Sequence, residues 1–357
     1  MSRNDELITQ VASPELSEAQ IRENTRLEEE LESSEEKILI CRHVKKFFPL
    51  GKNWFKKARL FVRAVDDVSF AVERGKTLGI VGESGCGKTT LGRTILRLNS
   101  ITAGQVLFNG EDVAKLSRRD LRKLRPKMQI IFQDPYSSLS PRMPVGEIIG
   151  EAVLEHGLVS KENYRAYVID IMKKCGLPSY YFDRFPHEFS GGQRQRICIA
   201  RALALQPELV VCDEPVSALD VSIQAQIINL LKDLQTQMGL TYLFISHDLS
   251  VVEYISDDIA VMYLGTVVET GKTDEIFRKP MHPYTEALLS AVPVPDPNIK
   301  MNRIILKGDI PSPVNPPKGC KFHTRCRKCM DVCKEVTPIL KDYGDGHKVA
   351  CHLYSQD

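Results

Sequence analysis

Two early stretches, "ILICRHV" (residues 38–44) and "VRAVDDVSFAV" (62–72), alternate broadly and are rich in β-branched residues. This predicts strands on either side of a basic loop, "GKNWFKKAR" (51–59). "KTLGIVG" (76–82) is continuously apolar at its centre and reads as a buried strand; a Gly-rich turn follows, then "KTTLGRTILRL" (88–98), whose apolar spacing is helical. "ELVVCDEP" (208–215) and "TYLFISHD" (241–248) read as two further buried strands, with a helix predicted between them in "SIQAQIINLLKDLQTQMG" (222–239). From about Asp134 to Phe189 the pattern is mostly helical and interrupts this alternation of strand and helix. Past residue 280 the chain turns Pro-rich, in "KPMHPY", "VPVPDPN" and "DIPSPVNPPKGC", which predicts an irregular appended module. The residues before Ile38 are acidic and polar, "ENTRLEEELESSEEK", and are expected to form a loosely attached, solvated tail. No internal repeat is evident.

At 357 residues the chain can bury a substantial core in two or three structural units. The formal charge of +2 argues against a role in coating nucleic acid. No basic-then-apolar leader and no uninterrupted apolar run of roughly 18 residues is present, so the chain is expected to be soluble by itself. Five of the ten cysteines are scattered through the body and five crowd between Cys320 and Cys351. That distribution is not a secreted disulfide framework and fits a reducing cytoplasm.

The turn "GESGCGKTT" (82–90) fits the phosphate-binding pattern G-x-x-x-x-G-K-[ST] and lies between a predicted strand and a predicted helix, the context that pattern requires. Small residues let successive N–H groups curl around phosphates, and the helix that follows points its positive end at them. Lys88 would reach the β- and γ-phosphates, and Thr89 would ligate Mg²⁺. A second acidic position is needed for the metal. "LVVCDEP" supplies Asp213 at a strand end to hold it, with Glu214 next to polarise the attacking water.

"FSGGQRQRICIARAL" (189–203) decides among nucleotide-binding families. It resembles the signature sequence of the ATP-binding cassette superfamily, departing from the commonest form only in Phe189 for Leu. Gln133 in "IIFQDP" matches the Q-loop, Ser217 to Asp220 in "SALD" the D-loop, and His247 in "FISHD" the switch histidine. Phe48 in "VKKFF" matches the aromatic that stacks on adenine. The resemblance implies an α/β fold: a P-loop NTPase (RecA-like) core with an antiparallel β subdomain, an inserted α-helical subdomain and an irregular Cys/Pro-rich C-terminal extension. The expected boundaries are an acidic extension at 1–37, the ATPase domain at 38–280 with its helical subdomain at about 134–200, and the C-terminal extension at 281–357.

It further implies that Gly82, Glu83, Ser84, Gly85, Cys86, Gly87, Lys88, Thr89 and Thr90 cradle ATP, and that Thr89, Gln133 and Asp213 hold Mg²⁺. Glu214, His247 and Gln133 would be catalytic. Two such cassettes pair head to tail, so Ser190, Gly191, Gly192, Gln193 and Asp220 would serve a nucleotide held mostly by the partner. ATP then closes the dimer, and hydrolysis with phosphate release opens it.

Three longer stretches, "QDPYSSLSPRMPVGEIIGE" (133–151), "HPYTEALLSAVPVPDP" (282–297) and "LKGDIPSPVNPPKGCKFHTRC" (306–326), resemble the ATPase subunits of dipeptide and oligopeptide importers. The strands and basic insert around residue 50, with "GKTTLGRTILRL", resemble the second, F-type ATPase subunit of those systems. The resemblance implies as partners a second ABC ATPase subunit, forming a heterodimer, two transmembrane permease subunits and an extracytoplasmic peptide-binding protein, with no nucleic acid. Work at the cytoplasmic face of the membrane is implied too. Related importers carry nickel or sugars, and other cassettes act on nucleic acid, and these remain alternatives. Cys320, Cys326, Cys333 and Cys351 match a family pattern associated with a 4Fe-4S cluster; four thiolates would equally serve tetrahedral zinc, or stay free or form disulfides. Cys329 is additional, and an iron-sulfur site there is expected to lie away from the phosphate chemistry.

Overall fold

The computed structural model describes residues 36–51, 60–293 and 303–354. The acidic stretch before residue 36 and most of the basic loop lie outside them. The chain divides into two compact units, one of Met1–Val72, Leu78–Lys115 and His247–Asp357, the other of Glu73–Thr77 and Leu116–Ser246.

In the first unit the two early alternating stretches form long strands, Lys37–Leu50 and Leu60–Glu73. They belong to a four-stranded sheet with Ala103–Phe108 and Glu111–Asp112, in the order Leu60–Glu73, Lys37–Leu50, Ala103–Phe108, Glu111–Asp112. Lys37–Leu50 pairs antiparallel with Ala103–Phe108, Leu39 opposite Phe108 and Cys41 opposite Val106, until a bulge between Arg42 and Lys45 shifts the register. The bulge aims one part of the strand away from the ladder. The apolar strand Thr77–Val81 runs parallel to Asp258–Tyr263, with Val81 opposite Val261. Asp258–Tyr263 then turns back into Thr266–Lys272 through an antiparallel pairing.

The C-terminal extension is largely irregular after residue 303, as its Pro-rich composition predicts, with a few very short elements. Its short strand Lys348–Val349 adds to Thr266–Lys272, Glu269 opposite Val349, and Lys341–Asp342 adds in turn to Lys348–Val349. Tyr263, Tyr284 and Phe322 form a buried aromatic cluster, with ring centroids 4.8 to 5.3 Å apart. Glu269 is fully buried and is held by donors that offset its desolvation. The backbone N–H groups of Met281 and His282 donate to it at 2.7 and 2.9 Å, and His347 Nε2 lies 2.7 Å from its carboxylate.

In the second unit three strands run parallel, Met128–Ile131 beside Leu209–Asp213 beside Thr241–Ile245. Every residue of Leu209–Asp213 and Thr241–Ile245 is buried, as parallel strands covered on both faces require. Helices Val145–Glu155, Tyr164–Lys174 and Gly191–Leu203 pack on one another through apolar faces. Helix Val221–Met238 ends at Gly239, whose φ of 65° supplies the left-handed cap. The body cysteines Cys41, Cys86, Cys175, Cys198 and Cys212 are all buried and free. Burial pushes Cys175 up to about 12 and Cys198 to about 11, so these thiols pack as small apolar groups. Among the described residues no helix is long and apolar enough to cross a membrane.

His282 gives the first unit a specific pH dependence. Burial holds its imidazole down to about 4 from an ordinary 6.5, against the pull of Glu269, and its Nδ1 accepts the Tyr284 N–H at 3.1 Å. Between those two values the unfolded chain binds the proton that the folded chain refuses. The stabilisation is therefore complete above pH 6.5 and lost as pH falls through 4, about 3 kcal/mol in all. His282→Gln should flatten the fall in melting temperature between pH 7 and 4.5 relative to the parent chain. Parallel pH profiles for the two proteins would refute this.

Candidate active site

The turn at residues 82–89 leaves the buried Thr77–Val81 strand and enters helix Lys88–Ile95. Its shape is possible only with glycine at two places. A Cβ on Gly87, at φ 107°, would stand 2.1 Å from the Ala64 carbonyl oxygen, and one on Gly82, at φ 150°, 2.2 Å from that of Met262. Lys88 is buried, and its ammonium donates to the Gly82 carbonyl at 2.7 Å and the Glu83 carbonyl at 3.2 Å, drawing the loop into a ring. No side chain caps the helix and its first turn holds no acidic residue, so its positive end faces the loop uncompensated. Ser84 and Gly85 are exposed at the tip, whereas Cys86 is buried beneath it. Burial raises the Cys86 thiol, with the Lys88 ammonium opposing, so the group serves packing. Thr89 and Thr90 are half-buried in the first helical turn. Phe48 is half-buried on its strand with the Lys46 ammonium 4.7 Å from its ring centroid, and His247 is exposed.

In the second unit the strand Leu209–Asp213 ends on a buried Asp213, and Glu214 follows in the left-handed region at φ 47°. For a residue with a bulky side chain this costs about 1–3 kcal/mol, and such strain gathers at functional positions. Neighbouring groups hold it there. The Glu214 N–H donates to the Ile245 carbonyl at 3.0 Å, and the Ser217 hydroxyl donates to the Glu214 carbonyl at 3.1 Å. The side chain of Gln133 donates to the Glu214 carboxylate at 2.8 Å, joining two of the expected catalytic residues.

Ser190 and Gly191 are exposed at the start of helix Gly191–Leu203. Ser190 Oγ accepts the Gln193 N–H at 3.4 Å while Gln193 Oε1 accepts the Ser190 N–H at 3.0 Å, a reciprocal cap that fixes the helix entry. Gly192 is half-buried one position on. Asp220 begins helix Val221–Met238 through its carbonyl, which accepts the Ile223 and Gln224 N–H groups.

Sequence reasoning missed Arg325 and Tyr284. Both bind Glu83 of the loop, Arg325 through its guanidinium at 2.6 and 3.0 Å and Tyr284 through its hydroxyl, which accepts the Glu83 N–H at 2.8 Å. Pairs more than 200 residues apart leave no trace in local periodicity. The extension therefore reaches the phosphate loop through Arg325 and Tyr284. Among the described residues, no group of three or more His, Cys, Asp or Glu side chains is arranged to hold a metal ion.

A family model of the ABC transporter matches residues 65–217, and one of the oligopeptide/dipeptide transporter C-terminal region matches residues 268–333. The oligopeptide transport ATP-binding protein AppF of Bacillus subtilis is 53% identical over 326 residues, covering 90% of this chain and 99% of that protein. The chain belongs to the ATP-binding subunits of peptide ABC transporters. The dipeptide transport ATP-binding protein DppF of Escherichia coli is 52% identical over 314 residues, 88% of this chain and 93% of that protein. Among solved structures, cbiO1 of Clostridium perfringens, part of the ABC transporter complex cbiONQ, superposes with a TM-score of 0.59 at 27% identity. The match covers 68% of this chain and 92% of that one. The ATP-binding cassette MJ0796, in a dimeric post-hydrolysis state bound to ADP and Pi, gives 0.59 at 28% identity over 66% of this chain and 98% of its own. The fold class expected from the motifs is thus borne out. As a member of this family the chain is the ATP-hydrolysing, nucleotide-binding subunit of a peptide importer, it uses ATP and Mg²⁺, and the family implies membrane permease partners.

Glu214→Gln should keep nucleotide binding while ATP turnover falls on the order of 10²-fold or more, as expected when a general base is removed. Near-normal turnover by phosphate release would remove Glu214 from that role.

Proposed function

We propose that the chain couples ATP binding and hydrolysis to uptake of dipeptides and oligopeptides as one half of a heterodimer of two ABC ATPase subunits. That pair works at the cytoplasmic face of the membrane beneath two permease subunits, supplied by an extracytoplasmic peptide-binding protein. The backbone of residues 82–90 holds the ATP phosphates, and Lys88 neutralises their charge. Thr89, Gln133 and Asp213 would hold Mg²⁺, which when bound would offset negative charge on the phosphates. Glu214 polarises the attacking water, His247 stabilises the γ-phosphate in the transition state, and Phe48 stacks on adenine. Ser190, Gly191, Gly192, Gln193 and Asp220 serve the nucleotide of the partner subunit, the exposed start of the signature helix offering its N–H groups.

The observation that carries this reading is the hydrogen bond from Gln133 to Glu214, which links the water-activating carboxylate to the residue just before the helical segment. A cleft of about 530 Å³ lies beside that segment, lined by Gln129, Ile130, Phe132, Ser137, Ser138 and Arg201. A short cytoplasmic helix of a permease seated there would sense the state of Gln133. The test is reconstitution of the assembled transporter in liposomes. Peptide delivered by its binding protein should stimulate ATPase activity, and Ser190→Arg should abolish turnover at the site this signature completes while its own phosphate loop still binds nucleotide. Cysteines placed between residues 133 and 151 should crosslink to a permease. Salt-dependent binding of DNA or RNA without such crosslinks would favour nucleic-acid work instead.

The cysteine-rich end supports a 4Fe-4S cluster by its donor set. Cys320, Cys326, Cys333 and Cys351 lie within electrostatic reach of one another. Burial pushes Cys320 up to about 12 with the other three thiols adding to the rise, and Cys351 to about 11 with Cys326 and Cys333 adding. Among the described residues these thiols form no group arranged to hold a metal ion, so the cluster reading rests on the four-cysteine pattern of the chain. Cys329 turns its thiol to the Met330 carbonyl at 3.5 Å. A cluster held by these four thiolates would staple the extension to itself. Anaerobically purified protein should be brown; Cys326→Ser or Cys333→Ser should bleach it and Cys329→Ser should not. Colourless protein with stoichiometric zinc would overturn the cluster.

A further inference from the structure

The cysteine-rich extension does more to the phosphate loop than pack near it. Arg325, itself buried, lays the two ends of its guanidinium on the two oxygens of the Glu83 carboxylate at 2.6 and 3.0 Å. A fork-to-fork pair of this kind fixes orientation as well as distance. Tyr284 is fully buried, and its hydroxyl fixes the Glu83 main chain by accepting its N–H at 2.8 Å. The side chain and the amide of one loop residue are thereby both pinned. On the far side of the loop, Lys321 donates to Asp66 at 2.8 Å and to the Leu264 carbonyl at 3.1 Å. The next residue, Gly265, donates its N–H to the Cys86 carbonyl at 2.9 Å, and its own carbonyl accepts the Asp66 N–H at 2.8 Å. The extension thus grips the loop at two places, Glu83 directly and Cys86 through the turn at Leu264–Gly265.

We propose that the C-terminal extension is a positioning clamp for the phosphate loop, with Arg325 as its principal positioning residue, so that nucleotide affinity depends on the docked extension. Glu83 directly follows Gly82 at the start of the loop, so fixing its side chain and its N–H anchors the entry from which the amides from Ser84 onward run. A loop that binds phosphate through those amides gains affinity from being held in its binding shape beforehand. Removing Arg325 also leaves a carboxylate without its partner beside the place where phosphate charge arrives, and like charges there oppose binding. The proposal rests on the assignment of residues 82–89 to the ATP phosphates.

The test is nucleotide affinity, by a fluorescent ATP analogue, together with KM and kcat for ATP, on the assembled transporter in liposomes. Arg325→Met should weaken binding and raise KM by about tenfold while kcat changes much less, the signature of lost pre-organisation rather than lost chemistry. Tyr284→Phe should act in the same direction by a smaller factor. The double variant Glu83→Gln/Arg325→Met should be no weaker than Arg325→Met alone, because the two groups act as one pair. Should Arg325→Met fail to assemble, Arg325→Lys keeps the charge and loses the fork, and its affinity should drop severalfold. Unchanged affinity in the Arg325 variants, or losses that simply add in the double variant, would overturn the clamp. Lys88→Ala is the control for the assignment beneath it. If Lys88→Ala abolishes nucleotide binding and Arg325→Met does not, the clamp alone falls; if Lys88→Ala binds normally, the phosphate-loop assignment falls with it.

Discussion

The loop of residues 82–89 makes few bonds within itself, the Cys86 N–H to the Glu83 carbonyl at 3.2 Å among them, and the need to hold its shape organises the first unit. Much of that shape is set by the elements around it. The Ala64 and Met262 carbonyls leave no room for a Cβ at Gly87 or Gly82, and Lys88 draws two loop carbonyls inward. Each support sits on a different element: the long strand Leu60–Glu73, the strand Asp258–Tyr263, and the helix that follows the loop. Those elements must be rigid for the loop to keep its form, which is why the flanking strand Thr77–Val81 is buried along its whole length.

A comparable logic holds around Glu214 in the second unit, where the strained element is one residue. The left-handed φ of Glu214 directs its carboxylate as an extended strand residue could not. Hydrogen bonds from its own N–H to Ile245 and from Ser217 to its carbonyl hold that conformation, each contributing on the order of 0.5–1.5 kcal/mol net. Together they offset the cost of the conformation. Gln133, two residues past the end of the neighbouring parallel strand Met128–Ile131, donates to the same carboxylate at 2.8 Å.

Much of this was legible from the sequence. The buried strands at 77–81, 209–213 and 241–245 announce themselves as continuous apolar runs, and the phosphate and signature motifs carry residue types that their chemistry requires. The helical stretch from 134 to 189 and the long helix Val221–Met238 follow from spacing alone. What could not be read is contact across the chain. Glu83 is an unspecified position inside its motif, and Arg325 lies among cysteines that draw attention to metal rather than to a carboxylate. The strand Lys348–Val349 is two residues long and too brief for any period, and it exists because Thr266–Lys272 offers it a ladder. The left-handed Glu214 is equally silent in sequence, since nothing about glutamate forecasts that backbone.

That last ladder has a consequence for how the chain tolerates shortening. Thr266–Lys272 is largely buried, and its outer side is occupied by Lys348–Val349, with the Ala350 N–H also donating to the Val268 carbonyl at 2.8 Å. Stripped of those residues, the strand would present open N–H and C=O groups beside Val267 and Val268, the template along which two molecules zip together. The final residues of the extension are thus a guard on a sheet margin. A chain ending before residue 341 would be expected to stick to its own kind in the cell before any defect in ATP handling could be seen.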